Sequence, residues 1–431
     1  MHIVVAILAL SFLILVHEIG HFTAAKLLKV KVLEFAIFMG PKLFGIKKGD
    51  TEYTIRLIPI GGFVKMEGEN EESDDERAFN KKPKWVRAVI MSAGSFINIL
   101  VAFILLLILI PNVGFGSTQL GNVVPGSPAA VAGLLDNDVI VKYGGKSVNA
   151  ASDVLVYMMD SKGAEVAVTF EREGNVMEVA MRPEYFPRNY YIMGFTPSEY
   201  YGADWNVVSV ITENGPASDA GMIAGDRIIA INGVVVDNRE ELRYALAEDD
   251  GAKKTVTIKR DDVFLDVPLT PEVTESEEYY ELGAYFGLIH NATVFETIKY
   301  AYYDAISYSR MVLYSLKWLV TGRVGLGQIS GPVGIVVTIG DVVSEAGSNI
   351  RGMIFQLMSM VALIGINLGL FNLIPFPALD GSKLLLILIE AIRGKRISVE
   401  REATISFFGF LALILLMVVT FFNDIVKLVS G

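Results

Sequence analysis

The chain has 431 residues, 52% of them hydrophobic, with a formal net charge of -11 and no cysteine. That length is too great for one compact domain, and the apolarity suits a membrane protein carrying a soluble portion. The acidic balance offers no surface for nucleic acid, and without thiols any metal must be held by His, Asp, Glu or Asn.

The first apolar run, His2–Phe22, is close to the ~20 residues that a bilayer core demands. It lacks a basic n-region and a small-residue cleavage site, so it reads as a retained span and not a signal peptide. Near its end stands His17-Glu18-Ile19-Gly20-His21. On a helix, residues four apart leave from one face. Two neutral imidazoles so placed can reach one Zn²⁺, while Glu18 between them can hold or deprotonate a water. A chance pentapeptide is the alternative, but ionisable groups at bilayer depth are expensive and usually functional. A catalytic zinc also needs a third ligand, and His2 lies ~22 Å away along the same helix.

Beyond Lys26, Lys29 and Lys31, the stretch Glu52–Val64 alternates polar and apolar side chains and ends at Gly61-Gly62, which predicts a hairpin or short sheet. Glu67–Arg77 is mostly acidic and reads as a solvated linker. Further apolar runs follow at Val89–Ile110, Met353–Ile374 and Thr404–Phe422. Lys81, Lys82, Lys84 and Arg87 precede the second run, and Arg393, Lys395, Arg396 and Arg401 lie between the last two. By the positive-inside rule these loops are cytoplasmic, and both termini and the Pro111–Gly352 segment lie outside. That segment holds 18 basic against 32 acidic residues.

The outer segment repeats itself at an offset of 88 residues. Pro128-Ala129 matches Pro216-Ala217, Ala132-Gly133 matches Ala220-Gly221, and Asp138, Ile140, Gly145 and Val148 match Asp226, Ile228, Gly233 and Val236. Asn137 stands where the second copy has Gly225. Each copy predicts a strand, a turn, a short helix and a strand pair, then a helix (Ser152–Asp160; Arg239–Glu248) and a β segment (Glu165–Arg172; Lys254–Arg260). The pattern resembles the circularly permuted bacterial PDZ domain, a fold that binds extended peptides at a sheet edge. A mere spacer is the competing reading.

Thr293–Arg323 is rich in Tyr with interleaved Lys and Arg, which predicts an amphipathic helix at the outer interface, with a fifth span as the alternative. Gly325–Val337 is Gly-rich and apolar and reads as a loop or re-entrant segment. In the third span, Pro375 and Pro377 must break the helix just before Asp380. Asn372 lies ~26 Å along that span and His17 ~24 Å along the first, so both approach the cytoplasmic side. Asp380 is either a helix-capping carboxylate or the missing third ligand.

HExxH in the first span, the N-L-x-P-x-P-x-L-D-G segment Asn372–Gly381, and PDZ-like repeats between spans two and three together resemble the site-2 protease family of intramembrane zinc metalloproteases. The similarity covers essentially the whole chain and points to the bacterial branch that regulates sigma factors. It implies Zn²⁺ held by His17, His21 and Asp380, with Glu18 activating water. Gly94-Ser95-Phe96-Ile97-Asn98 resembles the family's G-x-x-x-N motif, with Ser95 where Pro is frequent, and it implies that Asn98 and Asn372 bind substrate or the oxyanion. Gly61–Glu69 is similar to the family's membrane-associated β-loop, and Ser330–Ile335 to the segment after the PDZ domains.

The expected architecture is thus a polytopic α-helical membrane protein of about four spans, with two inserted α+β PDZ domains outside and a small cytoplasmic β-hairpin. The expected divisions are a first membrane part (1–111), PDZ domain 1 (112–190), PDZ domain 2 (191–275), an interfacial segment with a Gly-rich loop (276–352) and a second membrane part (353–431). The expected setting is the inner membrane of a bacterium, with the active site near its cytoplasmic side. The expected function is cleavage of transmembrane segments of single-span proteins, such as anti-sigma factors or signal-peptide remnants, after a prior outer cut. Partners would then be those substrates, peptides or C-termini at the PDZ domains, and the lipid bilayer. A catalytically idle adaptor that uses its PDZ pair to bind outer peptides is the alternative; a zinc transporter fits four spans and peptide-binding repeats poorly.

Overall fold

A computed structural model describes residues 2–430 except 125, 187–188, 198–205, 213–214, 237–241, 243–244, 246–251, 276–278, 326, 328–330 and 346–349. The chain divides into two compact units. One comprises 1–110, 294–343 and 355–431; the other comprises 111–293 and 344–354.

The first unit is built on helices. Among the described residues four are long and apolar enough to cross a membrane, at Val4–Leu27, Lys84–Val113, Ile350–Asn372 and Glu400–Lys427. They lie within α1 (His2–Leu27), α2 (Lys84–Val113), α8 (Ile350–Asn372) and α10 (Val399–Ser430). Their side chains are apolar nearly all round, as lipid contact requires. Helices α8 and α2 approach closely because Gly365 and Gly369, one turn apart, face the α2 backbone; a methyl at Gly369 would lie 2.9 Å from the Ser95 carbonyl. The prolines end α8 as expected. The chain turns through Ala378, held at φ +77, into α9 (Asp380–Arg393), which stops at Gly394 in the left-handed conformation.

The small hairpin expected at Glu52–Val64 is a larger sheet. Strands β1 (Val32–Lys48) and β2 (Thr51–Met66) fold back on each other, so that Glu34–Ile37 registers both with Lys65–Gly62 and with Glu52–Ile55. The sheet lies along α1: the Ser11 hydroxyl donates to the Pro59 carbonyl at 2.9 Å, and Gly61 and Gly62 sit against Ile14 and Leu15. Such packing places a sheet with exposed Leu43, Phe44, Ile46 and Leu57 beside an apolar helix. The acidic stretch after β2 is not a free linker either. Lys31 pairs with Asp75 at 2.9 Å and Glu67 at 3.4 Å, and Lys383 with Glu69 at 2.6 Å. Residues 294–320 form one helix, α6 (Val294–Val320), with Lys299 over the Tyr300 and Tyr303 rings and Lys317 over Tyr314. The Gly-rich segment is helical from Pro332, in α7 (Pro332–Glu345). Residues 328–330 before it lie outside the described residues.

The second unit contains both repeat copies, nested where a tandem was expected. The first copy runs through β3 (Phe115–Val123), α3 (Pro128–Val131), β4 (Val139–Tyr143), β5 (Lys146–Ser147), α4 (Ala151–Ser161), β6 (Val166–Arg172) and β7 (Asn175–Met181). The linking strands β8 (Glu184–Phe186) and β9 (Asn189–Ile192) follow. The second copy then runs through β10 (Phe195–Pro197), β11 (Val208–Ile211), α5 (Pro216–Asp219), β12 (Arg227–Ile231), β13 (Val234–Val235), β14 (Lys254–Arg260) and β15 (Val263–Leu269). Strands β16 (Glu272–Glu275) and β17 (Tyr279–Glu281) return along β9 and β8, and β18 (Ala284–Ile289) completes the first copy's sheet by pairing with β3. Residues 284–289 therefore belong to the first copy and not to an interfacial segment. The helix expected at Arg239–Glu248 lies largely outside the described residues.

The 88-residue offset has a physical basis. Asn137 and Gly225 both adopt positive φ, +71 and +97, a conformation Asn tolerates better than most residues. Arg172 grips Asp138 through Nε and a terminal nitrogen, each at 2.7 Å, and Arg260 grips Asp226 in the same way.

Candidate metal centre

HExxH lies in α1, and Gly20 within it explains how α1 meets α2. A methyl there would fall 2.5 Å from the Ala93 carbonyl, so only glycine permits the crossing. Gly94 on α2 opposes it. A methyl at Gly94 would lie 2.5 Å from His21 Nε2 and 2.7–2.8 Å from the His17 ring. The two glycines therefore let the imidazoles press against a bare stretch of α2 backbone. The turn between α8 and α9 brings Asp380 to the same point.

The three candidate ligand atoms form a nearly equilateral triangle. His17 Nε2 and His21 Nε2 are 3.1 Å apart, and Asp380 Oδ2 lies 3.0 and 3.1 Å from them. His17 and His21 are buried and Asp380 is half-buried. The His21 Nδ1 atom lies 2.8 Å from the Ile90 carbonyl, which can only accept, so this nitrogen carries the proton. In neutral His21 the Nε2 lone pair then faces the Asp380 oxygen and His17. Converging lone pairs repel unless a cation lies among them. The sides of the triangle are close to the roughly 3.3 Å edge of a tetrahedron with bonds of about 2.0–2.1 Å. Two imidazoles and one carboxylate are a donor set zinc accepts, and a backbone carbonyl behind a ligating His is its usual support. The residues fit zinc.

Glu18 is half-buried within electrostatic range of His17, His21 and Asp380, and of the Val64 backbone on β2. The amide of Asn372 lies 3.5 Å from His17 Nε2. Asn98, one turn beyond Gly94 on α2, is fully buried, and both its side-chain nitrogen and oxygen lack a partner among the described residues. His290 belongs to the other unit and is not in the cluster.

Four contributors escaped the sequence reading. The Ile90 carbonyl carries no side-chain signal at all. Gly20 and Gly94 stood in plain view inside the two motifs, but their role appears only when the helices meet. Strand β1 could have been found from the apolar, Phe-rich run on either side of Gly40-Pro41, bounded by Gly49-Asp50.

A multi-span protein with an HExxH helix, a carboxylate from a distant helix and a donor set suited to zinc is a membrane metalloprotease in class. The chain belongs to peptidase family M50, the site-2 protease family, whose sequence profile matches residues 5–416. It is 30% identical to the regulator of sigma-W protease RasP of Bacillus subtilis, over 99% of this chain and 98% of that protein. It is 31% identical to the zinc metalloprotease RasP of Geobacillus kaustophilus, over 98% and 97%, and 32% identical to that of Shouchella clausii, over 97% of both. The chain is a bacterial membrane protein, a zinc metalloprotease whose cofactor is Zn²⁺.

Proposed function

We propose that this protein is an intramembrane endopeptidase that cuts transmembrane segments of single-span proteins after a first cut outside the membrane. We assign His17, His21 and Asp380 as its zinc ligands and Glu18 as its general base. The observation that carries this reading is the convergence of His17 Nε2, His21 Nε2 and Asp380 Oδ2 at 3.0–3.1 Å beside Glu18.

Held by His17, His21 and Asp380, zinc would polarise a carbonyl and lower the pKa of water, so that Glu18 can deprotonate it. Glu18 accepts the proton of the attacking water and returns it to the leaving amine. Asn98 and Asn372 hold the substrate backbone or the oxygen that becomes negative, a role suited to the fully buried Asn98 amide, whose polar atoms lack a partner among the described residues, and to the half-buried Asn372 amide beside His17. A substrate helix keeps its backbone hydrogen bonds internal and must unwind to be cut. The end of β2, with Val64 near Glu18, offers strand pairing to the unwound segment.

The repeat unit holds no residue of the cluster, so its contribution is selection. Its copies act as PDZ domains that take up a peptide or C-terminus left by the first cut, or that exclude bulky uncut substrates. By positive-inside charge they lie outside the inner membrane with both termini, and the metal lies nearer the cytoplasm. The name of the Bacillus relative favours a substrate linked to a sigma factor.

The test is fragment mapping of tagged single-span substrates, full-length and pre-trimmed, with wild type and with a variant lacking residues 115–289. Removing only 121–270 would leave β18 on the 115–120 remnant of β3 with β4, β6 and β7 gone, and is unsuitable. Cleavage of the untrimmed form by the zinc-loaded deletion variant supports exclusion. Its continued rejection leaves tail recognition as the account of selection. Failure of wild type to cut within any transmembrane segment would overturn the reading.

A further inference from the structure

Asp380 stands at the first position of α9, after a turn closed from within by the Leu379 N–H to the Phe376 carbonyl at 3.1 Å and by the Ser382 hydroxyl to the Leu379 carbonyl at 2.7 Å. The residue before it, Leu379, provides no side-chain cap, and Ala378 holds a left-handed φ of +77. Yet a ligand must stay within about 0.5 Å of its productive position to hold a metal well. The bonds within the turn set its shape; a tie from outside the helix fixes where it sits.

Lys383 lies one turn along α9 from Asp380. Its ammonium donates to Glu69 Oε1 at 2.6 Å and to Asn70 Oδ1 at 3.5 Å. Burial would lower the pKa of this lysine, but Glu69, with Glu402 and Asp380 nearby, raises it above the usual lysine value, so Lys383 keeps its charge at neutral pH. Glu69 follows the end of β2 by three residues. That strand end is anchored: Met66 is buried in a cluster with Ala25 of α1, Ile90 of α2 and Ile387 of α9. Val64, two residues before Met66, lies near Glu18.

A continuous path therefore runs from Glu18 through β2 to Glu69, across the ion pair to Lys383, and back one helical turn to Asp380. We propose that the Glu69–Lys383 pair is a brace that positions Asp380 against the two histidines, with Lys383 a positioning residue. The inference rests on Asp380 being a zinc ligand. It assigns a function to the acidic segment after β2, which tethers the ligand-bearing helix. A second ion pair on the same helix, Arg87 with Glu390 at 2.7 Å, lies seven residues further on and supplies an internal control. It ties α9 to α2 far from the ligand, so its loss should loosen the fold without selectively loosening the metal.

The experiment measures zinc release from the purified full-length protein to a chelator, together with the visible spectrum of the cobalt-loaded form. Lys383→Met and Glu69→Gln should each speed zinc release about tenfold, within the range seen when ligand-supporting partners are removed. The double variant should be no faster than the worse single one, because both changes cut the same link. Lys383→Arg should remain near wild type, and Glu390→Gln should lower the thermal midpoint without changing the release rate. The chain has no native cysteine, so a Glu69→Cys, Lys383→Cys pair can be bridged by a short thiol cross-linker. Bridging should slow release and shift the cobalt spectrum back toward wild type in the same preparation, even where the untethered variants are unstable. Wild-type release by either single variant, a multiplicative double, or no recovery on bridging would overturn the brace. Asp380→Asn separates the two levels. If it keeps its zinc, the ligand assignment has failed; if it loses zinc while the brace variants do not, only the brace has failed.

Discussion

The repeats and the metal cluster treat buried charge in opposite ways. In the repeats, Asp138 and Asp226 are almost wholly buried, and each is fully answered by an arginine and by a backbone amide, Leu135 at 2.8 Å or Ile223 at 2.9 Å. Around His17, buried polar atoms face one another or nothing. His17 Nδ1, Ser95 Oγ, both ends of Asn98 and Asp380 Oδ2 lack hydrogen-bond partners among the described residues. Leaving such an atom unsatisfied costs about 1–3 kcal/mol, so a fold tolerates a group of them only where they serve another purpose. The first arrangement holds a domain together. The second is fit to hold something that is not protein.

That contrast is broken most sharply at Glu18. Glu18→Gln removes the base and leaves the ligand set alone, so turnover should fall by about 10²–10⁴-fold or more with zinc content unchanged. Metal analysis beside a cleavage assay decides it, and wild-type turnover would exclude Glu18 as base. Asp380→Asn should act differently, with zinc and activity lost together, because an amide is a poor replacement for a carboxylate ligand. Equal zinc and activity in that variant would make Asp380 a helix cap after all. Gly94→Ala should be milder in chemistry but visible in structure. The added methyl must displace both imidazoles, at an overpacking cost of about 1–3 kcal/mol. A fall in zinc affinity with the α1–α2 pairing retained is the expected result, and unchanged affinity would mean that the helices can part at no cost.

How much of this could be read from the sequence follows the same division. The grouping of His17, Glu18 and His21 followed from residue types at helical spacing; Asp380 stood open between helix cap and ligand until family likeness favoured the ligand. Asn98 and Asn372 were proposed only through family likeness. The triangle needed the fold, since nothing in sequence measures the distance from His21 to a residue 359 positions away. In the repeat unit the 88-residue offset exposed the matching turns at Asn137 and Gly225, because each copy must solve the same backbone problem. It could not expose nesting. Strand β18 resembles no missing part of the first copy until its hydrogen bonds to β3 are seen, and strand pairing is a long-range property that local pattern does not carry. The acidic segment after β2 was misread for a related reason: its partners, Lys31 and Lys383, stand about 40 and 310 residues away.

The smallest effect expected on chemistry lies on the satisfied side of the comparison, at Asp226. Burial alone would raise the pKa of this carboxyl, but the Arg260 guanidinium and the Ile223 amide outweigh it and hold it below its ordinary value of 3.8. The unfolded chain therefore binds this proton more readily than the folded one. The pair contributes stability at pH values above the ordinary carboxylate value, and that contribution is lost as pH falls through the lowered folded value. Acid should loosen the second copy below about pH 4, and Asp226→Asn should flatten that part of the profile. Asp226→Ala should be harsher, since it leaves Arg260 without its partner; breaking a buried pair costs about 3–5 kcal/mol, discounted here because Arg260 reaches partly into solvent. Hydrogen exchange on the Val256 and Ile258 amides of β14 would report the loosening directly. Zinc content, measured in the same samples at neutral pH, should match wild type. If Asp226→Ala sheds zinc as Asp380→Asn is expected to, the two units are not independent, and buried charge in the repeats serves the metal as well as the fold.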